Sequence, residues 1–208
     1  MNKKGFEFSV GLIVILIISV LIFSLSLVFI FKWFGAAEEL KAEIDKQTKE
    51  QILTALKTGS QLVVIPVAVQ SAKRGTSAVF GIGIRNIAAD KKFSVAVEFS
   101  GAYLPDGRQM GIDASWIKQK WIGSFGVSNV GLIRKNEQVV FPFLLKVDLS
   151  TAPGVSTAKG DYVFNVCVYN APLTAYNEAP APCNVGQYKL NSEAFYSGKV
   201  YQVTVKVV

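Results

Sequence analysis

The sequence predicts a long N-terminal α-helix, transmembrane plus stalk, followed by an all-β antiparallel sandwich of about seven strands. Three observations predict it. An uncharged apolar run extends from Val10 to Phe31. A charged segment with helically spaced apolar residues follows it, up to Thr58. Beyond Gly59, apolar and polar residues alternate in short stretches rich in Phe, Tyr, Val and Ile, which favour strands.

The apolar run contains no charge and no proline, and serines are its only polar residues. At about 1.5 Å per residue it reaches roughly 33 Å, enough to cross a hydrocarbon core of about 30 Å. Residues 10–31 are therefore expected to be a single-pass transmembrane helix in contact with membrane lipid. Residues 1–9 are then a cytoplasmic tip or leader, and the C-terminal domain lies outside the cytoplasm. A cleaved secretory signal ending near Gly35-Ala36-Ala37 is the alternative.

Residues 32–59 are expected to form a helical stalk. Within 36–58, apolar residues recur on one rough stripe with charges between them, and Gly59 is a natural helix stop. The stripe consists of Ala37, Leu40, Ile44, Ile52, Ala55 and Leu56.

Residues 60–208 are expected to form the β-domain. Phe80, Ile82 and Ile84 alternate on one face, and 93–99 alternates on a returning strand, so the two are expected to pair as a hairpin. Pro66 suits an edge strand over 61–70, and Pro142 is expected to point outward, on an edge or at a bulge. Further strands are expected within 136–150, 160–170 and 201–208.

Composition excludes several kinds of chemistry. The chain has 208 residues, 22 Lys+Arg, 15 Asp+Glu and a net charge of +7, with the cations scattered rather than grouped. Nucleic-acid binding is therefore not expected, whereas an anionic lipid or glycan surface would suit this charge. His is absent, which excludes Ser-His-Asp and Cys-His systems and His-ligated zinc or copper. We expect no cofactor and no metal.

The acidic residues are spread through turns with no spacing that indicates a catalytic pair, so we expect no enzyme. A carboxylate-based envelope enzyme is the alternative. Its candidate groups are Asp106, Asp113, Glu137, Asp148, Asp161, Glu178 and Glu193.

Two cysteines, Cys167 and Cys183, predict a disulfide, with two free buried thiols as the alternative. Alternation over 160–169 places Cys167 on the outer face of its strand, and Cys183 lies in the proline-rich stretch NEAPAPCNVG. The bridge is therefore expected to attach a loop to the outside of the domain rather than to cross its core. Closing a loop of about 15 residues contributes on the order of 3 kcal/mol.

Trp116 and Trp121 lie beside Lys118 and Lys120 in an irregular, glycine-containing region. Aromatic rings of this kind stack on sugars, so both tryptophans are candidate glycan contacts, although core or loop anchoring is the more ordinary role. A secreted or anchored carbohydrate-binding module is accordingly an alternative function.

The stretches GTSAVFGIGIRN, KKFSVAVEF and FLLKVDLSTAPG leading to KGDYVFNVCVY resemble immunoglobulin-like domains of prokaryotic cell-surface proteins. The resemblance implies an immunoglobulin-like sandwich that serves as a spacer or adhesion module, with a surface glycan or protein as its partner.

The N-terminal tip resembles the type III signal of archaeal type IV pilins and archaellins. Lys4 and Gly5 precede the processing position, Phe6 would be the new N-terminus, and an apolar helix follows. The resemblance implies a filament subunit whose helices bundle with copies of themselves. Small residues that would permit close helix contact are Gly11, Ser19, Ser24 and Ser26. An unprocessed single-pass anchor with a spacer domain is the other possibility.

Overall fold

The computed structural model describes residues 11, 14–24, 46–186 and 192–208. The chain divides into two units, Met1–Lys41 and Ala42–Val208. In the first unit, residues 14–24 form a helix, α1. In the second, helix α2 spans Lys46–Thr58, a short helix α3 spans Ala114–Ile117, and the remaining structure is mainly β.

The expectation of a membrane-spanning helix is wrong for the residues that the structure describes. In these ranges no helix combines the length and the apolar character that crossing a membrane requires. The predictions of a single-pass membrane protein and of a domain held outside the cytoplasm by that helix are therefore wrong, whereas lipid as a partner stays a prediction. Hydropathy indicates only that a segment avoids water, and it does not specify what shields the segment.

Within the described part of the chain, ten strands form three sheets. A three-stranded sheet has the order β1-β3-β6, a five-stranded sheet has the order β2-β10-β9-β4-β5, and β7 pairs with β8. The strands are β1 Val63–Val64, β2 Val69–Ala72, β3 Ser77–Arg85, β4 Lys91–Tyr103, β5 Val127–Ile133, β6 Gln138–Lys146, β7 Ser150–Ala152, β8 Val155–Ser156, β9 Gly160–Tyr169 and β10 Tyr201–Val207.

The inner faces of the two larger sheets share one apolar core. Alternate residues of each strand enter it, and Phe80, Ile82 and Ile84 of β3 are all buried there, as their alternation predicts. The Phe80 and Phe143 rings stack at 5.4 Å on neighbouring strands. Trp121, from a π-helical turn over Lys118–Ile122, packs at 4.5 Å on the Tyr162 ring of β9.

The predicted fold class is therefore wrong. In place of one long N-terminal helix and about seven antiparallel immunoglobulin-like strands, the described residues contain three short helices and ten strands. One strand pair is parallel, with Thr204 of β10 opposite Val69 of β2. The predicted edge strand over 61–70 is divided at Pro66, and its two halves join different sheets.

The predicted β3–β4 hairpin is also wrong, since the two strands belong to different sheets. The connection 86–90 passes between the sheets and is organised by Asn86, which is fully buried. Its side-chain amide donates to the Ala89 and Ile133 carbonyls at 2.9 and 2.8 Å. These bonds connect the crossing segment to the end of β5, and they satisfy the polar side chain of a fully buried residue.

Helix α2 covers the outer face of the three-stranded sheet. Register places Val64, Gly83 and Val140 in one row across the three strands. Ile52 and Leu56, both fully buried, lie over this row. A Cβ on Gly83 would collide with Ile52 Cγ2 and would lie 2.8 Å from Leu56 Cδ1. The absence of a side chain at Gly83 therefore allows the helix to rest on the strands.

The C-terminal end of α2 is also held by the sheet. The helix ends at Thr58, and Gly59 follows it with its N–H on the Ala55 carbonyl at 3.0 Å, as the predicted stop requires. The Arg85 guanidinium of β3 donates to the Leu56 carbonyl at 3.3 Å. A cation at a helix C-terminus also interacts favourably with the helix dipole.

We expect Gly83→Ala to destabilise the β-domain by about 1–3 kcal/mol, because the added methyl group overpacks the α2 contact. The measurement is urea denaturation, combined with hydrogen exchange of the α2 amides, which should lose protection. Gly111→Ala is the matched control, since a Cβ there meets nothing within 4 Å. Equal stability of the two variants would contradict the proposed contact.

Candidate functional site

Helix α1 exposes large apolar side chains around its whole circumference. Each has between 48 and 67% of its surface exposed within this chain. Such an array is costly in water, since complete burial of one such side chain is worth roughly 1.5–3 kcal/mol. The nine residues are Val14, Ile15, Leu16, Ile17, Ile18, Val20, Leu21, Ile22 and Phe23.

The serines of α1 add little polarity to this surface. The Ser19 hydroxyl donates to the Ile15 carbonyl at 2.7 Å, and the Ser24 hydroxyl donates to the Val20 carbonyl at 2.8 Å. Both hydroxyl donors are thus satisfied within the helix. Ser19 also lies in a shallow groove of about 500 Å³ whose other walls are Ile15, Leu16, Val20 and Phe23.

The other predicted residues of the N-terminal region are placed as follows. Gly11 is helical and exposed. Ser26 and the processing residues Lys4, Gly5 and Phe6 lie outside the described residues, so these predictions stay predictions.

In the second unit, the predicted disulfide between Cys167 and Cys183 is confirmed, with the two Cα atoms 5.7 Å apart. Val166 and Val168 enter the main core, whereas Cys167 points to the opposite face of β9. The bridge therefore attaches the loop after β9 to the outer face of the five-stranded sheet, as the alternation predicts. A second apolar cluster forms there, from Ala96, Cys167, Tyr169, Leu173, Ala181, Cys183 and Phe195.

Three polar side chains on the same face hold the loop at further points. The Ser94 hydroxyl donates to the Ala171 carbonyl at 2.8 Å and accepts from the Leu173 N–H at 2.9 Å. Asn165 donates to the Cys183 carbonyl at 3.2 Å, and Tyr169 donates to the Ala181 carbonyl at 2.6 Å. Burial raises the pKa of Tyr169, and the Glu98 carboxylate adds to the rise.

The sequence prediction missed these three anchors. Ser94 and Asn165 are buried polar residues at positions that alternation assigns to an exposed face. The signal available in the sequence was Cys167. A loop attached to the outer face of the sheet at this residue must also cover the residues beside it on that face.

The two candidate glycan-contacting tryptophans lie close together but differ in exposure. Trp121 is 1% exposed in the main core, so its ring faces protein. Trp116 is half-buried, and the Lys120 ammonium lies 5.6 Å from its ring centroid. Both indole N–H groups point to the Ser150 carbonyl, at 3.1 Å from Trp116 and 3.5 Å from Trp121. This arrangement anchors the 114–122 segment to β7.

The candidate carboxylates mostly stabilise turns. Asp106 pairs with Arg108 at 2.8 Å, Asp113 caps α3 through Ser115, and Glu178 accepts from Thr174. These hydrogen bonds lower the pKa of all three carboxyl groups. In the described ranges, no three acidic or cysteine residues come together in a group that could hold a metal ion.

The sequence matches no known family model and no curated protein. Solved structures give distant similarities. A family 123 glycoside hydrolase from Clostridium perfringens has 11% identity and a TM-score of 0.38, covering 77% of this chain and 25% of that one. The alkylpurine DNA glycosylase AlkC of Pseudomonas fluorescens has 11% identity and a TM-score of 0.35, covering 75% of this chain and 33% of that one.

A third solved structure is that of Spo0M, a sporulation control protein from Bacillus subtilis. It has 8% identity and a TM-score of 0.30, covering 70% of this chain and 46% of that one. This chain thus spans less than half the length of each of the three proteins. Similarities at this level carry no functional argument.

We expect stability to fall as the pH rises above about 10, because burial raises the pKa of four tyrosines above their ordinary value of 10.0. Below pH 10 these phenols are neutral in both the folded and unfolded states, so their contribution is fully present. Above it the unfolded chain ionises first and is favoured. The four residues are Tyr162, Tyr169, Tyr196 and Tyr201.

The measurement is the urea midpoint between pH 9 and 12, with phenolate absorbance recorded in parallel. Tyr169→Phe should cost about 1 kcal/mol at pH 7, because the Ala181 carbonyl loses its donor, and should make the alkaline fall shallower. An alkaline fall identical in the variant and the parent would refute the role assigned to Tyr169.

Proposed function

We propose that this chain is a non-enzymatic structural subunit that assembles with copies of itself through α1. The supporting observation is the exposure of nine large apolar side chains on this one helix. The resemblance of the Lys4-Gly5-Phe6 tip to pilin and archaellin signals suggests that the assembly is a filament.

A second copy of the same helix is a suitable partner on chemical grounds. The run from Val10 to Phe31 contains no charge, so two copies bring together no like charges and leave no ion unpaired. The groove at Ser19 offers a place where a neighbouring apolar side chain packs into a gap between larger ones. Because both serine hydroxyls donate within the helix, covering them leaves no hydroxyl donor unpaired.

The state of three of the seven candidate carboxylates supports a non-enzymatic role. A glycosidase needs one carboxyl group with a raised pKa to act as general acid. The resolved shifts at Asp106, Asp113 and Glu178 run in the opposite direction, and each group is engaged in its own turn. The β-domain is then a stable body carried by the assembly rather than a reaction site.

We expect Ile15→Lys to abolish assembly, because an ammonium group buried between apolar helices costs several kcal/mol. Sedimentation velocity and negative-stain electron microscopy of the full chain provide the measurement. Leu149→Lys is the matched control: Leu149 lies in the β-domain and is 64% exposed, against 67% for Ile15. The proposal fails if the Ile15 variant assembles like the parent, or if the control loses assembly equally.

We expect the N-terminus of the natural protein to be Phe6, because the pilin-like signal places processing after Gly5. N-terminal sequencing of the protein purified from its own cells provides the measurement. A chain that begins at Met1 or Asn2 would reject the pilin-like filament. Assembly through α1 would still be tested separately by the Ile15 variant.

A further inference from the structure

The outer face of the five-stranded sheet is covered over only one half. There the disulfide-held loop lies on Ala96 and Cys167, and Asn165 donates to the Cys183 carbonyl. Beyond Asn165, toward the start of β9, the next outward residue is Val163, which is half-buried. This second half of the face is used neither by the loop nor by the proposed assembly through α1.

Two rows of outward-pointing residues cross four strands in this second half, and together we call them the open face. In the strand order β2, β10, β9 and β4, the first row consists of Val69, Thr204, Val163 and Gly101. In the same order, the second row consists of Ser71, Lys206, Asp161 and Tyr103. The open face thus has one apolar row and one charged row.

The first row is uneven in shape. Val69 projects from the β2 end with 58% of its surface exposed. Gly101 at the β4 end has no side chain, and the Tyr103 ring lies beside it, since a Cβ on Gly101 would be 3.4 Å from the Tyr103 hydroxyl oxygen. The row therefore has a projecting apolar side chain at one end and a shallow depression beside an aromatic ring at the other.

The second row has opposite charges at its centre. Lys206 of β10 and Asp161 of β9 are directly opposite each other in the antiparallel register. Among the described residues, neither side chain is engaged in an ion pair. A partner of this row must therefore present an anion and a cation side by side, in the reverse order.

We propose that the open face pairs with the open face of a second copy of the chain, around a two-fold axis that runs along the strands midway between β9 and β10. Such an axis places β10 of each copy over β9 of the other, and β2 over β4. Lys206 of each copy then lies opposite Asp161 of the other. Val69 of each copy enters the depression at Gly101 of the other, so one arrangement satisfies both charge and shape.

This pairing is weak by itself, and the inference rests on the proposed assembly through α1. With strands about 4.8 Å apart and about 3.4 Å per residue, the two rows cover roughly 250 Å² per copy. Stable interfaces bury about 1,200–2,000 Å² in total. Copies that are linked through α1 experience local concentrations on the order of 1 mM, at which a weak contact becomes populated.

The test is carbodiimide cross-linking of full-length chains that carry opposite charge reversals. The Lys206→Glu chain has carboxylates at positions 161 and 206, and the Asp161→Lys chain has lysines at both. An amide between positions 161 and 206 can therefore form only between the two different chains. We expect mass spectrometry of the mixture to find this cross-link at least about ten-fold above the control pair.

The control pair lies on α2, which covers the other sheet. Lys46 and Glu50 are exposed and one helical turn apart, so a mixture of Lys46→Glu and Glu50→Lys chains follows the same logic. Sedimentation velocity of the same samples reports assembly through α1 separately. Assembly with a cross-link at positions 161 and 206 no stronger than the control overturns the pairing and leaves the open face to another occupant, such as a glycan.

The remaining outcomes also separate the two proposals. Cross-linking at positions 161 and 206 without assembly supports the pairing and rejects assembly through α1. The absence of both rejects both.

Val69→Ser tests the shape of the contact. Introduced into both chains of the mixture, it should lower the cross-link about three- to ten-fold, because an apolar side chain no longer enters the depression. The urea midpoint should stay close to that of the parent, since Val69 is exposed within the chain. Val155→Ser is the matched control, at a valine that is 53% exposed and lies outside the open face. Equal cross-linking in the two variants would overturn the proposed arrangement.

Discussion

The contact between α2 and Gly83 is the constraint on which the layered structure depends. The row Val64–Gly83–Val140 crosses all three strands of the smaller sheet, and only a missing side chain at its centre lets Ile52 and Leu56 reach the strands. The contact reaches beyond the helix. Arg85 bonds the Leu56 carbonyl with its guanidinium, and its own carbonyl accepts from the Tyr196 hydroxyl at 2.7 Å. The end of α2 is thereby connected to the segment that leads into β10.

The larger sheet is covered on its outer face by different means. There a loop rather than a helix excludes water, and a loop has little internal hydrogen bonding of its own. The loop is instead held by the disulfide and by hydrogen bonds from Ser94, Asn165 and Tyr169 to its backbone atoms. Both sheets are consequently buried on two faces over part of their area. This explains why β9 is buried almost continuously from Tyr162 to Tyr169, where a one-sided strand would alternate.

This two-sided burial also marks the limit of what the sequence could predict. Alternation correctly identified Phe80, Ile82 and Ile84 as core residues, and it correctly directed Cys167 away from the core. It could not identify strand partners, because alternation states which way a side chain points and not which strand lies alongside. The predictions of a β3–β4 hairpin and of an all-antiparallel arrangement were therefore wrong. The prediction of a membrane span was wrong for a related reason. An apolar segment must be shielded from water, and the sequence does not specify what shields it.

A pocket of about 270 Å³, lined by residues 60–63 on one side and by Ser197, Lys199 and Tyr201 on the other, depends on the same constraint as the layers. Its first wall, residues 60–63, begins one residue after Gly59, whose N–H closes the last turn of α2, and it ends in β1, which pairs with β3 beside Gly83. Its second wall begins one residue after Tyr196, which bonds the Arg85 carbonyl. Both walls are thus connected to the residues that hold α2 in place. The second wall also reaches the disulfide-held face, where Phe195 is buried and Val200 packs. Contacts that position a helix on a sheet thereby also help to position both walls, although no residue of the α2 contact lines the pocket.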